Sequence, residues 1–260
     1  MSAPSRIKTV QNGQILEITF DHPPANPFDE RASRDLDAAL TRLNQSDDLR
    51  VGIVTGAGER MFSAGWDLKA VSAGDAGEDF GPNGFMSLNR QDMRKPIICA
   101  INGLAVGGGF EFALFSDIVI AAPHVEFALP ELARGFIPEA GGLWRAQRRL
   151  PYNVASELLL TGRRMSVEEA HRHGFVSRIV PSEDLMSVAR EIAAQIMLGA
   201  PLAVAALLEV ARAVEGLSDE EAFLKMRSGL PARDRIRTSE DYLEGPRAFA
   251  EKRAPRWKGR

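Results

Sequence analysis

Residues 97 to 111 read Ile97-Ile98-Cys99-Ala100-Ile101-Asn102-Gly103-Leu104-Ala105-Val106-Gly107-Gly108-Gly109-Phe110-Glu111. An apolar run suited to a buried strand passes through a turn into three consecutive glycines, and a carboxylate follows. The glycines stand where a strand hands over to a helix. Without Cβ atoms their N–H groups can approach a ligand closely, and a helix that begins there leaves its first N–H groups without intrahelical acceptors. Such a helix start favours negative charge. Glu111 falls inside the first turn of Phe110-Glu111-Phe112-Ala113-Leu114-Phe115, beside those donors in an apolar setting, a pairing that suggests acid–base chemistry next to a developing oxyanion. The plainer alternative is tight strand-to-helix packing with Glu111 stabilising the helix start. A second carboxylate, correctly placed, is what shifts the balance.

Upstream of this stretch, Ile7 to Val10 and Ile15 to Phe20 predict a hairpin about Asn12-Gly13. Asp21-His22-Pro23-Pro24-Ala25-Asn26-Pro27 interrupts regular structure, after which Ala32, Leu36, Ala39, Leu40 and Leu43 recur at helical spacing. Val51-Gly52-Ile53-Val54-Thr55 reads as a short buried strand. The following Gly56-Ala57-Gly58-Glu59-Arg60-Met61 opens like a dinucleotide fingerprint, but Met61 stands at the third glycine position and Phe62-Ser63-Ala64-Gly65 does not continue as a helix, which argues against a nicotinamide or flavin enzyme. Ala64-Gly65-Trp66-Asp67-Leu68-Lys69 is a second small-residue turn ahead of a helical segment, and so a second candidate source of a backbone donor. Residues 70 to 84, glycine-rich and acidic, predict a mobile surface loop.

Downstream, Ile118 to Ala122 and Val125 to Ala128 predict strands separated by Pro123-His124, and Leu129-Pro130-Glu131 follows. Pro138-Glu139-Ala140-Gly141-Gly142 breaks the chain again, and a largely helical remainder is expected from there, with Leu185, Val188, Ala189, Ile192, Ala193 and Ile196 on one face. From about residue 198 the chain reads as all-helical, with Pro201, Ser218 and Thr238 as start positions and Ser218-Asp219-Glu220-Glu221 as a capping box.

Composition excludes several classes. At 260 residues, with 45% hydrophobic and 26% charged residues, the chain can bury a substantial core, and a net charge of −3 gives no electrostatic reason to expect nucleic acid. The single cysteine, Cys99, sits in an apolar strand and reads as a buried thiol. The four histidines, His22, His124, His171 and His173, show no metal-ligand spacing, and neither a nucleophile elbow nor a phosphate loop occurs. With no signal-like N-terminus and no apolar run long enough to span a bilayer, the expectation is a cytoplasmic protein without membrane contact.

Three separated motifs then agree in order. Phe62-Ser63-Ala64-Gly65-Trp66-Asp67-Leu68, Ala100-Ile101-Asn102-Gly103 through Gly109-Phe110-Glu111, and Phe127-Ala128-Leu129-Pro130-Glu131 resemble the enoyl-CoA hydratase/isomerase (crotonase) superfamily. Gly162-Arg163-Arg164-Met165, Glu168-Glu169-Ala170 and the ending Phe249 to Arg260 are most similar to its carnitinyl-CoA dehydratase branch. The resemblance covers nearly the whole chain. It implies an α/β crotonase fold, a superhelix of repeated strand-strand-helix units over residues 1–197, and a C-terminal helical oligomerisation region over 198–260 that assembles trimers, often paired into hexamers.

By that resemblance the backbone N–H groups of Trp66 and Gly108 hold the thioester carbonyl oxygen, and Glu111 and Glu131 are the catalytic pair. Adding water across a double bond conjugated to a thioester passes charge onto that oxygen, where two pre-aimed donors stabilise the enolate. Two glutamates can hold one water between them if one is ionised and the other protonated. The resemblance also implies that Ala25, Ala64 and Lys69 lie along the coenzyme A site and that Lys252 approaches its phosphates. No separate cofactor or metal is implied, since coenzyme A enters with the acyl-CoA substrate. Glu139, with Trp66 or Trp144 as an aromatic face, is a candidate for recognising a trimethylammonium group. Competing readings are a dienoyl- or enoyl-CoA isomerase and, outside enzymes, an acyl-CoA-binding or RNA-binding relative. Two carboxylates favour a hydro-lyase over an isomerase, and the negative net charge argues against RNA.

Overall fold

A hairpin opens the chain: β1 (Ile7–Asn12) and β2 (Ile15–Phe20) pair antiparallel through a turn that holds Gly13 at φ +57°. The computed structural model describes residues 5–74, 77, 79–90 and 92–260. Helix α1 (Glu30–Gln45) begins where the Asp29 side chain accepts from the Ala32 N–H at 2.8 Å, and it buries Ala32, Leu36, Ala39, Leu40 and Leu43 as the spacing predicts.

Three strand pairs follow, each leading into a helix. They are β3 (Val51–Gly56) and β4 (Met61–Ser63) before α2 (Leu68–Ser72), then β5 (Ile97–Ile101) and β6 (Leu104–Val106) before α3 (Gly108–Phe115). The third pair is β7 (Ile118–Ala121) and β8 (Glu126–Ala128), before a 3-10 turn at Glu131–Arg134 and α4 (Gly142–Arg149). The first strand of each pair joins a six-stranded sheet and the second a four-stranded sheet, so the chain winds as a superhelix of strand-strand-helix turns.

The chain continues through α5 (Tyr152–Thr161), β9 (Met165–Ser166), α6 (Val167–Arg172), β10 (Arg178–Ile179) and α7 (Leu185–Met197). The larger sheet runs β1-β2-β3-β5-β7-β10, parallel from β2 onward; the smaller runs β4-β6-β8-β9, parallel except at β9. Parallel strands covered on both sides are expected to be apolar throughout, and every residue of β5 is buried. Its alternation divides the core: Ile97, Cys99 and Ile101 face the main cluster with α1 and α3, while Ile98 and Ala100 meet Leu185, Ala189, Ile192 and Ala193 of α7.

Four helices close the chain: α8 (Pro201–Ala213), α9 (Asp219–Arg227), α10 (Pro231–Ile236) and α11 (Glu240–Ala250). Pro201 takes the first turn of α8, and Ser218 with Glu221 forms the expected capping box of α9. Arg212 ties this region to the core through Asp117 at 3.1 Å. Several of its large apolar side chains are open to solvent, with Phe249 87% exposed, Phe223 65% and Leu243 64%. Among the described residues no single helix is long and apolar enough to cross a membrane.

Three sequence expectations are corrected. The remainder after Gly142 is not purely helical, because β9 and β10 complete the two sheets; at two residues each they are too short to carry an alternating pattern. The last helix is capped by Ser239, whose side chain accepts from the Tyr242 N–H, while Thr238 instead donates to the Arg235 carbonyl. The loop expected over 70 to 84 begins inside α2 and falls partly on Asp75, Ala76 and Glu78, which lie outside the described residues. Its later part is held to α1, with Asp79 accepting from Arg34 and its N–H donating to Glu30.

Candidate active site

The strands β4, β6 and β8 lie side by side and parallel in the smaller sheet, so their C-terminal ends open at one edge. That edge receives three loops: Ala64-Gly65-Trp66 after β4, Gly107-Gly108 after β6, and Leu129-Pro130-Glu131 after β8. Short strands thereby bring together three motifs that are far apart in sequence.

The Trp66 and Gly108 backbones are held at close quarters. Gly65, at φ +75°, sits so near the next loop that a Cβ there would fall 2.5 Å from the Gly108 nitrogen and 2.9 Å from the Val106 carbonyl oxygen. The Phe28 N–H donates to the Gly65 carbonyl and the Asp67 N–H to the Phe28 carbonyl, each at 2.8 Å, fixing the peptide on either side of Trp66. Ser63 Oγ accepts from the Gly65 N–H at 3.1 Å and donates to the Asn26 carbonyl at 2.7 Å. Gly108 is the first residue of α3, so its N–H has no intrahelical acceptor. Among the described residues neither the Trp66 nor the Gly108 N–H donates to a protein acceptor. Two adjacent free donors at a helix start suit an oxyanion.

The two glutamates flank this place. Glu111, in the first turn of α3, is almost fully buried, and its Oε1 accepts from the Gly142 N–H at 2.8 Å. Burial pushes its carboxyl up to about 7; the Gly142 N–H opposes that rise, the Glu131 charge adds to it, and Arg145 and the Ala140 N–H oppose it further. Glu131 opens the 3-10 turn and is raised to about 6, chiefly by burial, against its own N–H and Arg134. Repulsion between two carboxyls is mutual, so they titrate as a pair. Glu131 Oε1 lies where a Cβ on Gly107 would be 3.1 Å away, and its Oε2 is buried without a hydrogen-bond partner among the described residues.

An aromatic wall closes one side. The Trp66 ring meets Phe136 at 5.6 Å and Phe80 at 6.2 Å, both edge-on, and its Nε1 is buried and unpartnered among the described residues. Phe85 and Met86 form a roof over Gly108, near enough that a Cβ there would be 2.4 Å from the Phe85 ring and 3.0 Å from Met86 Sδ. Sequence reading did not find this roof. Its one signal was Asp37 interrupting the apolar stripe of α1, since Asp37 accepts from Asn83, Ser87 and Arg90.

The remaining candidates divide. Ala25 and Ala64 are joined directly, the Ala64 N–H donating to the Ala25 carbonyl at 2.9 Å. Lys69 stands exposed in α2, close behind Trp66 in sequence, whereas Lys252 is exposed in the turn after α11 and bonds to none of the other three. Glu139 is exposed on the corner whose neighbours Ala140 and Gly142 direct N–H groups at Glu111. Trp144 is a poor cation receptor here, because the Arg145 guanidinium already lies 5.6 Å from its ring centre.

A family model described as enoyl-CoA hydratase/isomerase matches residues 10–260. Carnitinyl-CoA dehydratase of Proteus mirabilis (strain HI4320) is 51% identical over 251 residues, covering 95% of this chain and 96% of its own. Carnitinyl-CoA dehydratase of Salmonella typhi is 50% identical over 253 residues, covering 96% and 97%. Among solved structures, an enoyl-CoA hydratase from Mycobacterium tuberculosis H37Rv superposes with TM-score 0.90 at 35% identity, covering 99% of this chain and 100% of that one. An enoyl-CoA hydratase from Mycobacterium marinum gives TM-score 0.91 at 39% identity with the same coverage.

Proposed function

The chain belongs to the enoyl-CoA hydratase/isomerase family, and we propose that within it this enzyme removes water from carnitinyl-CoA and adds water to crotonobetainyl-CoA. The observation that carries the hydro-lyase reading is the pairing of buried Glu111 with half-buried Glu131, both carboxyls raised chiefly by burial, beside two free backbone donors.

In hydration, the ionised glutamate takes a proton from a water whose oxygen bonds to Cβ, and the Cα=Cβ electrons move toward the thioester carbonyl. The Trp66 and Gly108 N–H groups hold the resulting enolate oxygen, and the protonated glutamate delivers its proton to Cα. Dehydration runs the same path backward. Removing one such donor raises a barrier by about 3 kcal/mol, so the hole carries a large share of the rate.

Coenzyme A is substrate rather than resident cofactor in this reading, and Ala25, Ala64, Lys69 and Lys252 are its proposed contacts. Lys252 is proposed to approach the phosphates from the turn after α11, and the exposed apolar surface of the last helices fits the interface of a trimer or hexamer. Light scattering tests the assembly: a monomer at micromolar concentration removes it.

The deciding experiment follows purified enzyme on carnitinyl-, crotonobetainyl-, crotonyl- and dienoyl-CoA with product identification. Carnitinyl-CoA dehydration with inert dienoyl-CoA is expected; double-bond migration without water exchange would instead establish an isomerase.

A further inference from the structure

We infer that Arg145 is a positioning residue for the acid–base pair, a strut that joins the roof over Gly108 to the corner that cradles Glu111. The inference rests on the hydratase reading for its kinetic consequence but not for its geometry. One guanidinium nitrogen donates to the Leu88 carbonyl at 2.8 Å and another to the Ala140 carbonyl at 2.9 Å. The same residue's backbone N–H donates to the Gly141 carbonyl at 2.9 Å. Gly141 lies at φ +121°, and a Cβ there would fall 1.8 Å from the guanidinium, so the corner is bent around this side chain. Gly142, on one side of Gly141, donates its N–H to Glu111, and the Ala140 N–H on the other side lies near enough to favour the carboxylate.

The guanidinium also lies 5.2 Å from the centre of the Phe115 ring, and Phe115 is one helical turn beyond Glu111 on α3. Three segments that hold Glu111 and its surroundings therefore meet at one side chain: its own helix, the corner and the roof. The roof end is anchored. Met86 and Ser87 take φ +50° and +57°, a conformation that persists only where the surroundings enforce it. Asp37 enforces it by accepting from Asn83 and Ser87 at 2.7 Å each and from buried Arg90 at 3.0 Å, two residues past Leu88. A single guanidinium spanning this fixed turn and the corner sets the height of the Ala140 and Gly142 donors relative to Glu111.

Charge acts in the same direction. The charged groups that bear on Glu111 are Glu131, from the 3-10 turn, and Arg145, from α4, while Glu111, Arg148, Arg212 and Glu215 bear on Arg145. Removing Arg145 takes away a nearby cation and loosens two N–H donors, each of which favours the Glu111 carboxylate.

The test uses full-length Arg145→Gln and Arg145→Lys, with kcat and KM on crotonyl-CoA measured against pH. In parallel, the Glu111 carboxyl is titrated by carbon-13 NMR in glutamate-labelled protein, assigned by its absence in Glu111→Gln. Arg145→Gln is expected to lower kcat at least about tenfold with little change in KM, and to move both the pH profile and the Glu111 titration upward by up to about one unit. Arg145→Lys keeps the charge but reaches only one of the two carbonyls, so the profile stays in place while kcat falls part of the way. A folded Arg145→Gln with the wild-type profile and the wild-type Glu111 titration overturns the proposal. If that variant does not fold, unchanged kcat in Arg145→Lys overturns it instead. If wild-type protein hydrates no enoyl-CoA yet the Glu111 titration moves in Arg145→Gln, the strut stands and the hydratase reading falls.

Discussion

Glu111 Oε1 accepts a hydrogen bond from the Gly142 N–H at 2.8 Å, and no residue larger than glycine could donate it from so close. A Cβ on Gly142 would sit 3.1 Å from both Glu111 Cγ and Oε1 and 2.8 Å from Pro138 Cβ. The break at Pro138 to Gly142 thus shapes the surroundings of Glu111, since it lets a backbone donor meet a carboxylate that the core would otherwise keep neutral.

The stability cost of that carboxylate has a definite sign. Its carboxyl is raised in the folded protein from 4.5 to about 7, mainly by burial, so the folded state binds the proton more tightly than the unfolded chain. The resulting stabilisation is fully present below about pH 4.5 and is lost as pH rises through about 7, a change of at most about 3 kcal/mol. Glu111→Gln removes the titration while keeping an oxygen for the Gly142 N–H. Urea midpoints should therefore show the variant more stable than wild type at pH 8 and no more stable at pH 4.5, with turnover reduced by about 10²-fold or more. Equal midpoints at pH 8 would mean that the carboxylate is not strained by its site.

Activity should itself depend on pH as a bell. Hydration needs one glutamate protonated and one ionised, and the pair titrates at about 6 and about 7. Below this window both carboxyls hold protons and no base remains; above it both are ionised and no acid remains. The kcat/KM profile, which reports the free enzyme, should peak between the two values. A flat profile from pH 5 to 9 would rule out a shared proton.

Gly65 offers a test of the proposed oxyanion hole that leaves every ionisable group in place. Gly65→Ala sets a Cβ 2.5 Å from the Gly108 nitrogen at φ +75°, so the two donors must move apart. Turnover should fall about 10²- to 10³-fold. Gly13→Ala is the control, because Gly13 also has a positive φ but nothing lies within 4 Å of its Cβ position. It should lose about 1 kcal/mol of stability and no activity. Similar kinetic losses in both variants would point to general destabilisation.

What could be read in the sequence follows from physical range. The helix of Ala32 to Leu43 and the buried strand of Ile97 to Ile101 were legible because each repeats one local pattern over several residues. The glycine run and Glu111 were legible as a helix start with a carboxylate. Strands β4 and β6, at three residues each, are too short for periodicity, although it is their parallel pairing that brings Trp66 beside Gly108. The roof stayed hidden because Met86 and Ser87 adopt positive φ without being glycine, held by Asp37 from a helix some fifty residues earlier. The part played by Arg145 was equally invisible, since its partners Leu88 and Ala140 are backbone carbonyls, which no residue pattern marks.

Trp66 combines two proposed tasks, and they can be separated. Its backbone N–H belongs to the oxyanion hole and survives any substitution except proline, while its ring packs edge-on against Phe80 and Phe136. With the Trp144 face already taken by Arg145, Trp66 is the one of the two candidate tryptophans left to receive a trimethylammonium group in the acyl chain. A desolvated cation–π contact of this kind is worth roughly 0.5 to 2 kcal/mol, or about 2- to 30-fold in affinity. Trp66→Leu should therefore raise KM for crotonobetainyl-CoA by that factor more than for crotonyl-CoA, which has no cation. Glu139→Gln should show the same bias if the exposed carboxylate reaches the cation, and none if it serves only the corner. Equal losses on both substrates in Trp66→Leu would assign the ring to packing alone and leave the cation to be recognised elsewhere.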